Sequence, residues 1–306
     1  MSRYFDNTSK NLFMDPRVTQ YGSHMVMTDV VPPTKTKFLN IDTRYRDDYD
    51  PTKVADYNIS LPERINEVKS IEVMGAEIPI TYYNISTTLG NNVFNLTILG
   101  QTVVIIIPDD QYTEPSLVTA INAQIALEGA PYSNIVYQEV NHRSTFTNTD
   151  ATTACEIAFD VTMQGAITVQ NFTYKLGWIL GFRDPAYVIP VSSTLTSPAF
   201  IDLYGPRYLY LVVDEFKNGN PYSFVSMLQE SSVNSTQILA RFPVDPVYYP
   251  FRTLHTFTDG HFISDVRKYT GTMNLQRLNV RLVNERGVAM DLNGMDFSFC
   301  LAITYE

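Results

Sequence analysis

Apolar residues recur at every second position through most of this chain. In CEIAFDVTM (155–163), Ile157, Phe159, Val161 and Met163 fall on one side and Glu156, Ala158, Asp160 and Thr162 on the other. That alternation predicts an antiparallel strand with one face in a core. QRLNVRLV (276–283) turns Leu278, Val280 and Leu282 inward and Arg277, Asn279 and Arg281 outward. MDFSFCLAITY (295–305) sets Phe297, Phe299, Leu301, Ile303 and Tyr305 on one face. VFNLTILGQTVVIII (93–107) reads as a hairpin about Gly100, and Asn218-Gly219 as a turn after the strand YLYLVV (208–213). NERG (284–287) and DLNG (291–294) carry the same turn chemistry, with Gly supplying the positive φ.

The period of a helix is rare. TEPSLVTAINAQIALEG (113–129) has Thr113 as cap, Pro115 in the first turn, Gly129 as terminator, and Leu117, Ile121 and Ile125 on one face. TYKLGWILGF (173–182), which holds the only tryptophan, Trp178, predicts a second and shorter helix. Two short helices among about a dozen strands, with no β-α-β rhythm, predict an all-β, jelly-roll-like antiparallel β-sandwich with one or two short helical insertions. Residues 1–36 keep no period and close on Val30-Val31-Pro32-Pro33, a stiff extended stretch. The expected organisation is an extended N-terminal arm, 1–36, followed by one elaborated sandwich domain, 37–306.

Composition narrows the function classes. A chain of 306 residues that is 44% hydrophobic and 18% charged builds a large core. A formal net charge of −10 argues against general binding to a phosphate backbone, which needs cationic surface. Eight acids face one base, Arg143, between Gln101 and Asp160. No window approaches the length of apolar sequence that spans a membrane, and MSRYFDNTSKNLFMDPR lacks the apolar core of a secretory leader. Cys155 and Cys300 lie in strand-like runs and read as small buried hydrophobes of a reducing compartment, with one disulfide as the alternative.

Catalytic motifs are missing from the sequence. It contains no phosphate-binding glycine loop, no dinucleotide fingerprint, no zinc-protease or nucleophile-elbow motif and no C-x-x-C. The reading is therefore no enzyme, no cofactor and no metal. His255 and His261 flank TFTDG at a spacing that matches no standard ligand pattern, so they are expected to be structural or solvent-exposed.

One stretch stands out, KFLNIDTRYRDDYD (37–50), where Asp42, Asp47, Asp48 and Asp50 interleave with Arg44 and Arg46. Read as a calcium loop from Asp42, it places Arg44, Arg46 and Asp47 at the third, fifth and sixth positions, and the pattern fails. Paired arginines hold carboxylates ionised, which suits docking better than proton transfer. Arg44, Tyr45, Arg46, Asp47 and Asp48 are accordingly the candidate partner-contact residues, Arg and Tyr being typical interface anchors. Trp178 joins them as a candidate anchor, against the plainer reading of a core plug.

The segment FLNIDTRYRDDYDPTKVADYNISLPERINEVKSIEVMGAEIPITYYNIS (38–86) resembles the minor capsid proteins of nucleocytoplasmic large DNA viruses. The similarity continues in NNVFNLTI (91–98), VVIIIPDDQYTEPSLVTAIN (103–122), LGWILGFRD (176–184), LYGPRYLYLVVDEFKNGN (203–220) and VRLVNERGVAMDLNGMDFSFCLAI (280–303). Asp109-Asp110 stand where that family usually has Gly. The resemblance implies a jelly-roll shell component in the virion, assembled in the host cytoplasm. Its implied partners are major capsid protein capsomers and other minor capsid proteins, without nucleic acid or membrane insertion. A penton protein closing into a pentamer is the nearest alternative; a glycan-binding attachment module or glycan-degrading enzyme is the alternative from another class.

Overall fold

The structure, a computed structural model, describes residues 33–50, 52–166, 172–216, 237–264 and 266–306. The expected arm lies outside these up to Pro32, as does the turn at Asn218-Gly219.

One large antiparallel sheet dominates. Its path is β1 (Lys35–Asp42), β15 (Ser298–Tyr305), β2 (Asp56–Ile80), β14 (Arg267–Asn284), β10 (Tyr208–Asp214), β11 (Ile238–Pro243) and β13 (Ile263–Ser264), and β12 (Thr253–Phe257) also pairs with β2. The 25-residue β2 is its spine. It pairs with β14 through its first part and with β15 from Val68 to Glu77, and its last residues, Ala76–Ile80, take β12 on the other side.

A strand this long stays on one core only by breaking its own alternation. Tyr57, Ile59, Leu61 and Ile65 point inward from odd positions, Val68 from an even one, Ile71 and Val73 from odd, and Ala76, Ile78 and Ile80 from even. The registers locate the breaks. Val68 and Ser70 face consecutive residues of β15, Tyr305 and Thr304, leaving Lys69 extra; Val73 and Gly75 face Leu301 and Cys300, leaving Met74 extra. Glu67, at φ 56°, sits at a third irregularity, against β14. Such bulges bend a strand and raise its twist, which is how a single strand serves a curled sheet. Next to one of them a side chain would be crowded: a Cβ on Gly75 would lie 3.0 Å from the Phe257 carbonyl oxygen of β12.

The inner face of the large sheet builds the first core, with Ile71, Ile78, Phe242, Phe257, Phe299 and Leu301 among its buried residues. β10 is buried on both faces. Leu209, Leu211 and Val213 enter this core, while Tyr210 and Val212 pack with Ile238 and Val283 on the other side.

Two smaller antiparallel sheets enclose a second core. One runs β4 (Gln101–Ile106), β3 (Val93–Ile98), β7 (Cys155–Ala158), β8 (Ala186–Ile189); the other runs β5 (Ile135–Val140), β6 (Arg143–Asn148), β9 (Ser193–Thr196). Rings join them: Phe94 of β3 meets Phe146 of β6 edge-on at 5.8 Å, and Phe159 stacks on Phe182 at 5.0 Å. Helix α1 (Glu114–Leu127) covers this core with Leu117, Ile121 and Ile125, capped by Thr113 and Ser116 in a reciprocal box. Among the described residues the sheets are antiparallel throughout and two α-helices accompany them, in accord with the jelly-roll-like sandwich expected.

Two expectations shift. β7 ends at Ala158: the Phe159 amide still bonds the Pro185 carbonyl, but a proline has no amide to return the bond, and the chain then turns through Thr162–Ala166. Phe159 and Val161 stay buried, but Met163 lies in that turn and is 38% exposed. The helix expected over 173–182 shrinks to α2 (Leu176–Ile179) after a 3-10 turn at Phe172–Tyr174. Gly181, at φ +89°, ends it within one turn. Among the described residues no helix is long and apolar enough to cross a membrane.

Candidate functional site

β1 is a terminal strand of the large sheet, paired along its whole length with β15 from Lys35↔Tyr305 to Asp42↔Ser298. Ile41 is buried, whereas Phe38 is 63% exposed. The strand stops at Asp42, whose carboxylate accepts the Arg44 amide at 2.9 Å and so caps a 3-10 turn, Thr43–Tyr45. Thr43 locks this turn to the sheet: its amide bonds the Phe297 carbonyl at 3.0 Å, and its hydroxyl donates to Asp296 Oδ1 at 2.7 Å and accepts the Phe297 amide at 3.0 Å.

The two arginines have different fates. Arg44 folds back on Asp42 as a fork, Nε to Oδ1 at 3.0 Å and Nη2 to Oδ2 at 2.5 Å, and stays exposed. Arg46 turns inward until its side chain is 1% exposed. There it donates to Asp296 Oδ1 at 2.9 Å, to the Asp50 carbonyl at 2.7 Å and to the Thr43 carbonyl, under the Tyr49 ring at 4.1 Å. A guanidinium spent in this way holds the turn together from inside, which sets Arg46 apart from the exposed Arg44, Tyr45 and Asp48. Asp47 is tied as well, its amide to the Asn58 carbonyl at 3.0 Å and Oδ2 accepting Ser60 Oγ at 2.7 Å. Asp48 is exposed at φ 47°. Tyr45 is 75% exposed.

Two acids of the stretch are held low, and only one of them owes this first to an arginine. The Arg44 guanidinium holds the Asp42 carboxyl below its usual value, and the Thr52 hydroxyl and amide do the same for Asp50. Beside this turn runs an open groove of ≈ 580 Å³, bordered by Arg44, Arg252, Leu254 and Met295.

Trp178 is not brought to this turn. It lies half-buried on α2 with Phe172 edge-on at 6.0 Å and the Arg183 guanidinium over its ring at 4.1 Å, and it borders a different cavity, of ≈ 240 Å³. The residues missed from sequence are Thr43, Asp296 and Tyr49. No local pattern announces Asp296, because its partners are some 250 positions away.

The other titratable groups read as structure. The Tyr249 ring lies tilted against His255 at 3.8 Å, and burial pushes that imidazole below its usual value. Among the described residues, one trio of metal-type side chains converges, Glu114, Glu139 and His142. His142 Nδ1 lies 3.0 Å from Glu114 Oε2 on the surface. Cys155 and Cys300 are both free thiols.

No protein-family model matches the chain, and no curated protein matches it. Among solved structures it is similar to a mavirus penton protein, with a TM-score of 0.45 and 11% identity over 89% of this chain and 99% of the other. It is also similar to a chain of the Sputnik virophage structure determined by cryo-electron microscopy. There the TM-score is 0.39 and the identity 14%, over 88% of this chain and 98% of the other.

Proposed function

We propose that this chain is a structural component of the shell of a large icosahedral DNA virus, a minor capsid protein that ties neighbouring capsomers together. The observation that supports this best is the β1 margin. A terminal strand carries an exposed Phe38 and leads into a braced turn that holds Tyr45 and Arg44 outward. Terminal strands and exposed aromatic–arginine pairs are natural docking features. The ordered resemblance over residues 38–306 points the same way. In this reading the partners are major capsid protein capsomers and other minor capsid proteins, the location is the virion, assembly takes place in the host cytoplasm, and no catalytic centre is required.

The test is incorporation. Phe38→Ser with Tyr45→Ala removes exposed rings only, so the chain is expected to fold with an unchanged melting temperature and to be depleted from purified particles. Wild-type incorporation of the folded variant would sink the docking assignment. Copy number and position in particles then separate the roles: a closed ring of five at the vertices would replace the lattice role with a penton role.

A further inference from the structure

Strand β1 offers a regular edge. Its eight residues pair one for one with β15, without a bulge, and among the described residues no strand lies on its other side. The Thr43 amide bonds the Phe297 carbonyl in the continuing register, and in an antiparallel ladder residues two apart turn the same way. Lys35, Lys37, Leu39 and Ile41 thus face β15, whereas Thr36, Phe38 and Asn40 aim their amides and carbonyls away from it. All three of these outward residues are exposed. Of the devices that blunt such an edge, proline, a bulge and short length are absent from β1. Lysine is the remaining one: Lys37 is taken up by Glu63, and Lys35 stands at the strand's end.

The chain itself carries a matching strand sequence. HMVMTDVV (24–31), just before β1, holds no glycine or proline, is half β-branched and equals β1 in length. Its apolar residues fall on both parities, Met25, Met27 and Val31 against Val26 and Val30. A strand beside β1 needs that, because Leu39 and Ile41 face the first core and Phe38 the opposite side. Pairing this run with β1 of its own molecule requires a reversal at Pro32-Pro33-Thr34. Each proline fixes its own φ, lacks an amide and holds the residue before it extended, which opposes a tight turn. That chemistry favours a run that leaves its own sheet.

We propose that residues 24–31 of one copy add as a further strand to the β1 edge of a second copy, joining the molecules by strand exchange. The outward amides and carbonyls of Thr36, Phe38 and Asn40 bond the incoming backbone, and its apolar side chains cover Phe38. The proposal rests on the docking reading of the β1 margin and names the occupant of that margin.

The test is sedimentation equilibrium on the full chain in solution, with circular dichroism as the check of folding. The wild type is expected to self-associate. Val26→Pro with Val30→Pro breaks the donated strand. Asn40→Pro removes an outward amide from the edge, a position where proline leaves the β15 ladder intact. Each variant is expected to weaken association about tenfold or more, and a mixture of the two to form heterodimers, because each supplies what the other lacks. Thr36→Pro, nearer the strand's start, takes the place of Asn40→Pro if that variant misfolds. Three results each overturn the proposal: a monomeric wild type, wild-type association by folded variants of both kinds, or a mixture no better associated than its parts. Depletion of the Phe38→Ser, Tyr45→Ala variant from particles alongside any of these would keep the shell role and remove the strand exchange alone.

Discussion

Arg46 and Asp296, 250 positions apart in sequence, are joined by a 2.9 Å ion pair under the Tyr49 ring. The pair fastens the start of the large sheet to the turn before its last strand. Removing the guanidinium would take the charge partner from a partly buried carboxylate and one bond each from the Thr43 and Asp50 carbonyls. Arg46→Ala is therefore expected to cost about 2–3 kcal/mol in denaturant unfolding, toward the lower end for a buried pair because Asp296 keeps some solvent contact. Arg44→Ala, whose pair with Asp42 is exposed, should cost under about 1 kcal/mol. Equal costs for the two would refute the division of roles.

A second buried pair lies deeper. Arg267 Nη1 meets Glu215 Oε1 at 2.6 Å with side-chain exposures of 2% and 0%, and Tyr269 donates its hydroxyl to the same oxygen. Arg267 also donates to the carbonyls of Val213 and Gln237, each at 2.7 Å, which ties β14 to β10 and to the chain leading into β11. Arg267→Met is expected to destabilise by about 3–5 kcal/mol. Adding Glu215→Gln should then cost less than it does alone, a coupling that a double-mutant cycle measures.

The thiols give a chemical readout. Burial pushes the Cys155 thiol up to about 12 and raises that of Cys300 as well. Both are free, so intact mass should show no loss of two hydrogens, and a thiol-reactive disulfide reagent should label Cys155 only after unfolding. Rapid labelling of Cys155 in the native protein would contradict the packing of the second core.

pH acts with two signs. Asp42 and Asp50 have folded values below the ordinary 3.8, so their contribution is complete above that value and is lost as pH falls through the lowered ones. Melting temperature should drop in that acid range, and less steeply in Asp42→Asn. His142, raised above 6.5 by Glu114, contributes below 6.5 and loses that contribution as pH rises through the raised value. An NMR titration of its ring protons should show the upward shift, and Glu114→Gln should reduce it, Glu139 remaining as a smaller contributor.

Alternation in the sequence made most of the fold legible: the inward sets of 276–283 and 295–303, the hairpin at Gly100 and helix α1 all follow from local pattern and turn chemistry. The failures were local as well. Met163 kept the period of CEIAFDVTM, but a turn bonded within itself removed it from the face. The second helix had the right apolar residues and a glycine that ended it early. At the 42–50 turn the chemistry was legible and its direction was not. Arg44 and Arg46 look alike in sequence, and only the distant Asp296 decides which of them is internal.

The irregular pairing of β2 bears on how its length can vary. Lys69 and Met74 are the residues with no opposite number on β15, so excising either would leave Val68, Ile71, Val73 and Ala76 facing as they do now and would merely straighten the ribbon. Excising Glu72 instead would bring Ile71 and Val73 together and turn one of them inside out unless a bulge migrated to absorb the change. Single-codon deletions along this one strand should thus divide sharply into tolerated and ruinous, at positions that the ladder with β15 already names.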